Sequence, residues 1–163
     1  MILNSRRTFF KTAFLGGAVL VMSGVNVYGA VSPMQTMALV QKDMFPYIDD
    51  FEVNTEKYLT LILNHSRVDE EEKKFLRNGV GWLNEDALKM YNDMYINLTS
   101  DKRQAVLRYI SGYRWGENWI DSMLTYIMEA LFSDKAYGVN EYAKASKWID
   151  FKAGYPHPKE PYL

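Results

Sequence analysis

Glu117-Asn118-Trp119-Ile120-Asp121-Ser122-Met123-Leu124-Thr125-Tyr126-Ile127-Met128-Glu129-Ala130-Leu131-Phe132 is the most strongly periodic stretch of the chain. Trp119, Ile120, Met123, Leu124, Ile127, Met128 and Leu131 return at steps of one, three and four residues. On a helix of 3.6 residues per turn these side chains form one broad apolar stripe. So wide a stripe suits a helix enclosed by others better than one lying on the surface. No segment of the chain sustains the apolar–polar alternation, with turn residues at its ends, that marks paired strands. The sequence therefore predicts an all-α fold, a compact domain of about five helices.

Working back from that stretch, the other helices announce themselves by their ends as much as by their middles. Met34, Met37, Ala38 and Val40 to Met44 make a short helix that Pro46 stops, since proline has no amide proton to continue it. Asn54 or Thr55 is suited to cap a second helix, in which Tyr58, Leu59, Ile62 and Leu63 recur on one side as far as about Ser66. Asp69-Glu70-Glu71-Glu72 followed by Lys73-Lys74 sets acids at a helix start, where the backbone dipole favours them. This acidic run reads as a solvated helix start, not a metal site. Phe75, Leu76, Val80, Leu83, Ala87 and Tyr91 carry that helix on, with a bend expected at Gly79-Val80-Gly81 and Trp82 packed against it. Thr99 is the expected cap of a fourth helix, with Asp101 in its first turn and Ala105, Val106, Tyr109 and Ile110 as its buried side. Asn97-Leu98-Thr99 also spells a glycosylation triplet, but at a helix start the cap is the better reading.

From Ser133 the character changes. Ser133 to Asn140 is turn chemistry, and Gly154-Tyr155-Pro156-His157-Pro158-Lys159-Glu160-Pro161-Tyr162-Leu163 contains three prolines. An irregular, Pro- and aromatic-rich C-terminal tail is expected from about residue 133. Its aromatic side chains Trp148, Phe151, Tyr155 and Tyr162 either cover their own core or lie on a partner, because apolar area left in water is costly.

Composition narrows the chemistry. The chain has 163 residues, 48% of them hydrophobic and 15% aromatic, enough for one folded domain. It has no cysteine and two histidines. Iron–sulfur clusters and c-type haem need cysteine, and zinc usually takes Cys or His, so no such site is expected in this chain. No local motif supports a catalytic triad or a phosphate-cradling loop. His65 follows an apolar helical stripe and reads as a structural residue at a helix end. His157, between two prolines, has no second ligand near it in sequence. The sequence thus predicts no catalytic, cofactor-binding or metal site, and argues against an enzyme acting alone.

The first 29 residues differ from the rest. They hold Arg6, Arg7 and Lys11 and no acid, and an apolar run broken by Gly16, Gly17 and Gly24 follows. A basic start, an apolar stretch of about 7–15 residues and a small-residue cleavage site make a signal peptide. Cleavage is expected near Gly29, leaving residues 30–163 as a single helical domain. Ser5-Arg6-Arg7-Thr8-Phe9-Phe10-Lys11 resembles the twin-arginine (Tat) export signal, with Phe10 where leucine is usual. A general secretory signal and an uncleaved anchor are the alternatives. Tat export serves proteins that fold before crossing, usually around a cofactor. Beyond residue 29 there are 16 Lys and Arg against 20 Asp and Glu, and this acidic body offers nothing to nucleic acid. A cofactor protein's address sits on a chain with no expected cofactor site.

Leu131-Phe132-Ser133-Asp134-Lys135-Ala136-Tyr137-Gly138-Val139-Asn140, then Trp148-Ile149 and Gly154-Tyr155-Pro156, resembles the gluconate 2-dehydrogenase subunit 3 family. Family members typically show a stretch like F-S-D-P-x-Y-G-G-N, then a Trp, then I-G-Y-P. Here Lys135 replaces the proline, Val139 replaces the second glycine, and Asp150 to Ala153 lengthen the last step. If the second glycine of relatives takes a positive φ, Val139 does not follow it comfortably and the turn differs. The resemblance implies a non-catalytic small subunit of a periplasmic FAD-dependent gluconate or sugar dehydrogenase complex, held at the inner membrane through that complex. Its implied partners are a large flavoprotein carrying FAD, a multi-haem cytochrome c, and the Tat translocase, met through Ser5, Arg6, Arg7, Phe9, Phe10 and Lys11. The small subunit is expected to escort the folded flavoprotein through export. From the aromatic composition of the tail, Tyr137, Trp148 and Tyr155 are expected as anchors on the partner, with Gly138, Asn140 and Pro156 beside them. The competing reading is an independent Tat-exported periplasmic helical binding protein.

Overall fold

A computed structural model describes residues 32–152 and 158–160. The twin-arginine stretch and the Gly29 cleavage position lie outside the described residues, as do Tyr155, Pro156 and His157. Six α-helices occur among those described: α1 Pro33–Met44, α2 Thr55–Asn64, α3 Glu70–Tyr91, α4 Ser100–Ser111, α5 Arg114–Phe132 and α6 Lys144–Trp148. Single 3-10 turns sit at Pro46–Ile48, Tyr95–Asn97 and Lys135–Tyr137. The fold is all-α, and the short α6 brings the helices to one more than expected.

Three of the helix starts are capped by side chains that relieve otherwise unpaired amides. Ser32 Oγ accepts from the Met34 amide, Asn54 Oδ1 from Lys57 and Asp69 Oδ1 from Glu71. Thr99 stands at the start of α4 but makes no side-chain cap. Glu70 and Glu71 are exposed, as a solvated helix start requires. Glu72 instead accepts from Ser122 Oγ and Tyr126 hydroxyl, tying α3 to α5.

Helix α5 packs against all five other α-helices, which is why it carries the widest apolar stripe. Trp119, Met123, Ile127, Ala130 and Leu131 are buried. The stripe is nevertheless only half enclosed, for Leu124, Met128 and Phe132 remain exposed. These lie one position beyond the buried row, about 100° further round the helix, where no neighbour covers them. A comparable rotation appears in α4. It buries Val106, Leu107 and Ile110 and turns Tyr109 outward, where Tyr109 oxygen accepts from Tyr113 hydroxyl at 2.7 Å.

No break occurs at Gly79-Val80-Gly81, and α3 runs continuously from Glu70 to Tyr91. Gly79 permits a close approach. The Trp119 indole occupies the space a Cβ would need there, and its Nε1 donates to the Leu76 carbonyl at 3.1 Å. Trp82 is itself part of α3, where it sits between Phe75 of the same helix and Trp115 of α5, with the two indoles edge to face at 5.2 Å.

The segment after Ser133 is less irregular than its turn chemistry suggests. Val139, Asn140 and Ala145 are buried, and α6 lies on α5. The positive φ of this turn belongs to Gly138, at 62°. Val139 is spared it and sits 3% exposed in the core, so replacement of the second glycine here carries no backbone strain.

Candidate functional site

The C-terminal end of α1 is held by a buried charge. Asp43 accepts from Arg103 Nε at 2.6 Å, Arg103 Nη2 at 2.9 Å and Tyr95 hydroxyl at 2.7 Å. Its carbonyl oxygen takes the Gln104 side-chain amide at 2.7 Å. Burial, then the hydrogen bond to the Asp43 carboxylate, pushes the Tyr95 hydroxyl far above the ordinary tyrosine pKa. The same carboxylate raises the Arg103 guanidinium. A bidentate arginine fixes both position and orientation. The chain therefore leaves α1 at Phe45 along one defined path, into Pro46 and the buried Ile48.

Along that path the residues 45–54 run beside the residues 138–151. Asn54 amide donates to the Val139 carbonyl at 3.0 Å, and Lys57 Nζ to the Gly138 carbonyl at 2.9 Å. Lys144 Nζ reaches Glu52 Oε1 at 2.6 Å and the Asp50 carbonyl at 3.4 Å. Phe51 then meets Trp148 edge to face with ring centres 6.1 Å apart, and Phe45 stacks on Phe51 at the same separation. Tyr47 adds a further edge contact on Phe45. The outcome is a row Tyr47–Phe45–Phe51–Trp148 whose two ends are open, with Trp148 78% and Tyr47 64% exposed. Glu52, Ala143 and Asp150 all hold positive φ in these two segments, a conformation that L side chains adopt at some cost.

The expected interface residues fare differently. Trp148 is at the surface. Tyr137 is half-buried and packs on the core. Gly138 is exposed, with its carbonyl engaged by Lys57. Asn140 is 1% exposed, and its Nδ2 donates to the Leu131 and Ser133 carbonyls at 2.7 and 3.3 Å. The first carbonyl belongs to the last turn of α5 and the second to its C-cap residue, so the Asn140 amide serves the end of that helix. Phe45, Tyr47 and Phe51 went unremarked in the sequence because they lie in a loop, where no periodicity flags them. Their one legible signal is three aromatics within seven residues around a proline.

His65 Nδ1 accepts from the Arg67 amide at 3.1 Å at the end of α2, a local structural role. Among the described residues no group of three or more His, Cys, Asp or Glu is placed to hold a metal ion. None of the described helices is long and apolar enough to cross a membrane. An open cleft of about 320 Å³ lies beside Ile48, Val53 and Thr55, with the Lys42–Asp49 ion pair in its lining.

The family described as Gluconate 2-dehydrogenase subunit 3 matches residues 34–154, from the first turn of α1 past Trp148. The chain belongs to the gluconate 2-dehydrogenase subunit 3 family. Neither the curated proteins nor the solved structures give a significant match. The gluconate 2-dehydrogenase subunit 3 match spans both segments of the aromatic row and every helix of the described fold. The family is that of one subunit of a dehydrogenase complex.

Proposed function

We propose that this chain is the non-catalytic small subunit of an FAD-dependent gluconate or sugar dehydrogenase complex, and that it escorts the folded flavoprotein subunit through Tat export to the periplasm. The observation that carries this reading is family membership over residues 34–154 in a chain that opens with Ser5-Arg6-Arg7-Thr8-Phe9-Phe10-Lys11. On this reading FAD belongs to the large subunit and haem c to a cytochrome subunit that receives the electrons, with the complex at the inner membrane. An address on the subunit without a cofactor then serves the subunit that has one. The flavoprotein folds around FAD in the cytoplasm, docks, and crosses with its escort.

The test replaces both Arg6 and Arg7 with lysine and fractionates the cells. Cytoplasmic retention of the flavin-bearing partner together with this chain is the expected result. Undiminished export of the partner overturns the escort role.

A further inference from the structure

We infer that the large catalytic subunit docks on a two-segment face, with Phe45, Tyr47 and Phe51 from the loop after α1 joined to Trp148 at the end of α6. The inference rests on the subunit reading above and revises where its interface lies. Asn140 is buried, and its side-chain amide ties the start of the second segment to the end of α5.

Four observations favour this face. The first is composition, for Trp and Tyr dominate binding hot spots, and here a Trp and a Tyr are the most exposed large apolar side chains among the described residues. The second is pre-organisation. Lys144 to Glu52, Asn54 to Val139 and Lys57 to Gly138 lock the two segments together before any partner arrives, so little ordering entropy remains to be lost on docking. The third is charge. Lys42 with Asp49 and Lys144 with Glu52 form ion pairs around the row, and Lys147 and Asp150 add one exposed charge of each sign. A rim of alternating sign complements another protein surface, whereas an anionic lipid surface calls for a basic one. The fourth is that the chain belongs to a family of subunits, and the matched region includes both segments. The exposed row Leu124, Met128 and Phe132 on α5 lacks both the Trp/Tyr anchors and the stitched second segment.

The experiment isolates the affinity-tagged full chain from its own cells and measures co-purifying flavoprotein by flavin absorbance. It compares wild type with Trp148→Ala, Tyr47→Ala, and Leu124→Ala as an off-face variant. Trp148→Ala and Tyr47→Ala should each lower flavoprotein recovery by about tenfold or more, as loss of a hot-spot aromatic does. Leu124→Ala should leave recovery unchanged. Circular dichroism melts of the purified variants separate lost docking from lost folding. Wild-type recovery with both face variants overturns the placement while leaving the subunit reading intact. Absence of any flavoprotein with the wild-type chain overturns the subunit reading and this inference with it. Binding of the purified chain to phosphatidylglycerol vesicles, abolished by Trp148→Ala while flavoprotein recovery is unaffected, assigns the face to lipid and also overturns it.

Discussion

Trp119 and Gly79 share one space: the indole of the first fills the volume a side chain on the second would need, and hydrogen-bonds the Leu76 carbonyl one turn earlier. Helices α3 and α5 therefore meet ring against backbone at this crossing. A glycine in mid-helix ordinarily costs about 1 kcal/mol relative to alanine. Its presence here follows from packing.

Gly79→Ala consequently reverses the usual sign. Helix propensity alone favours the substitution, but the added methyl falls inside the Trp119 ring, and overpacking of this kind costs about 1–3 kcal/mol. Urea denaturation should show a less stable variant. A gain in stability would mean that Trp119 does not sit over Gly79.

Removing Asp43 should damage the fold more severely. Its carboxylate is 6% exposed and the Arg103 side chain 17%, so Asp43→Ala leaves a largely buried guanidinium without its counter-charge. Breaking one side of such a pair costs about 3–5 kcal/mol. The expected readout is a lower urea midpoint with an unchanged slope.

Alkali should weaken the protein through Tyr95. Its pKa in the folded state is raised above the unfolded value near 10, so the folded chain holds the phenolic proton more tightly. That stabilisation is complete below about pH 10 and is lost as pH rises beyond it, at up to about 1.4 kcal/mol per pH unit for this group. Tyr95→Phe should flatten the alkaline limb of a stability–pH curve. An identical limb in the variant would place the titration elsewhere.

Asn140 and Trp148, grouped together by sequence, should separate in a melting experiment. Asn140→Ala uncaps the buried Leu131 carbonyl and should cost about 1–3 kcal/mol. Trp148→Ala removes a side chain that is 78% exposed and should change stability by no more than about 0.5 kcal/mol. Equal losses in both would refute this division of roles.

Helix type and order were readable from the chain because periodicity and capping are local. Asn54, Asp69 and Pro46 act within four residues of themselves, and the spacing of Trp119, Met123 and Ile127 requires no knowledge of what covers them. Pro46 follows the end of α1 as read, Asn54 is the one of Asn54 and Thr55 that caps α2, and the acidic run read as a helix start opens α3, with Asp69 as its cap. The family resemblance, resting on Leu131 to Asn140, Trp148-Ile149 and Gly154-Tyr155-Pro156, was legible in the same way.

Coverage is where local reading ran out. Leu124 and Met128 are as apolar as Met123 and Ile127, but whether a helix face meets another helix depends on where the rest of the chain folds back. Gly79 reads as a flexible point until Trp119, forty residues later, arrives over it. The aromatic row unites Phe51 with Trp148 across nearly a hundred residues of chain, and Asn140 turns inward because the Leu131 and Ser133 carbonyls need a donor. Periodicity is a property of neighbours in sequence; burial and juxtaposition are set by packing between distant segments, where one side chain's place depends on every other's.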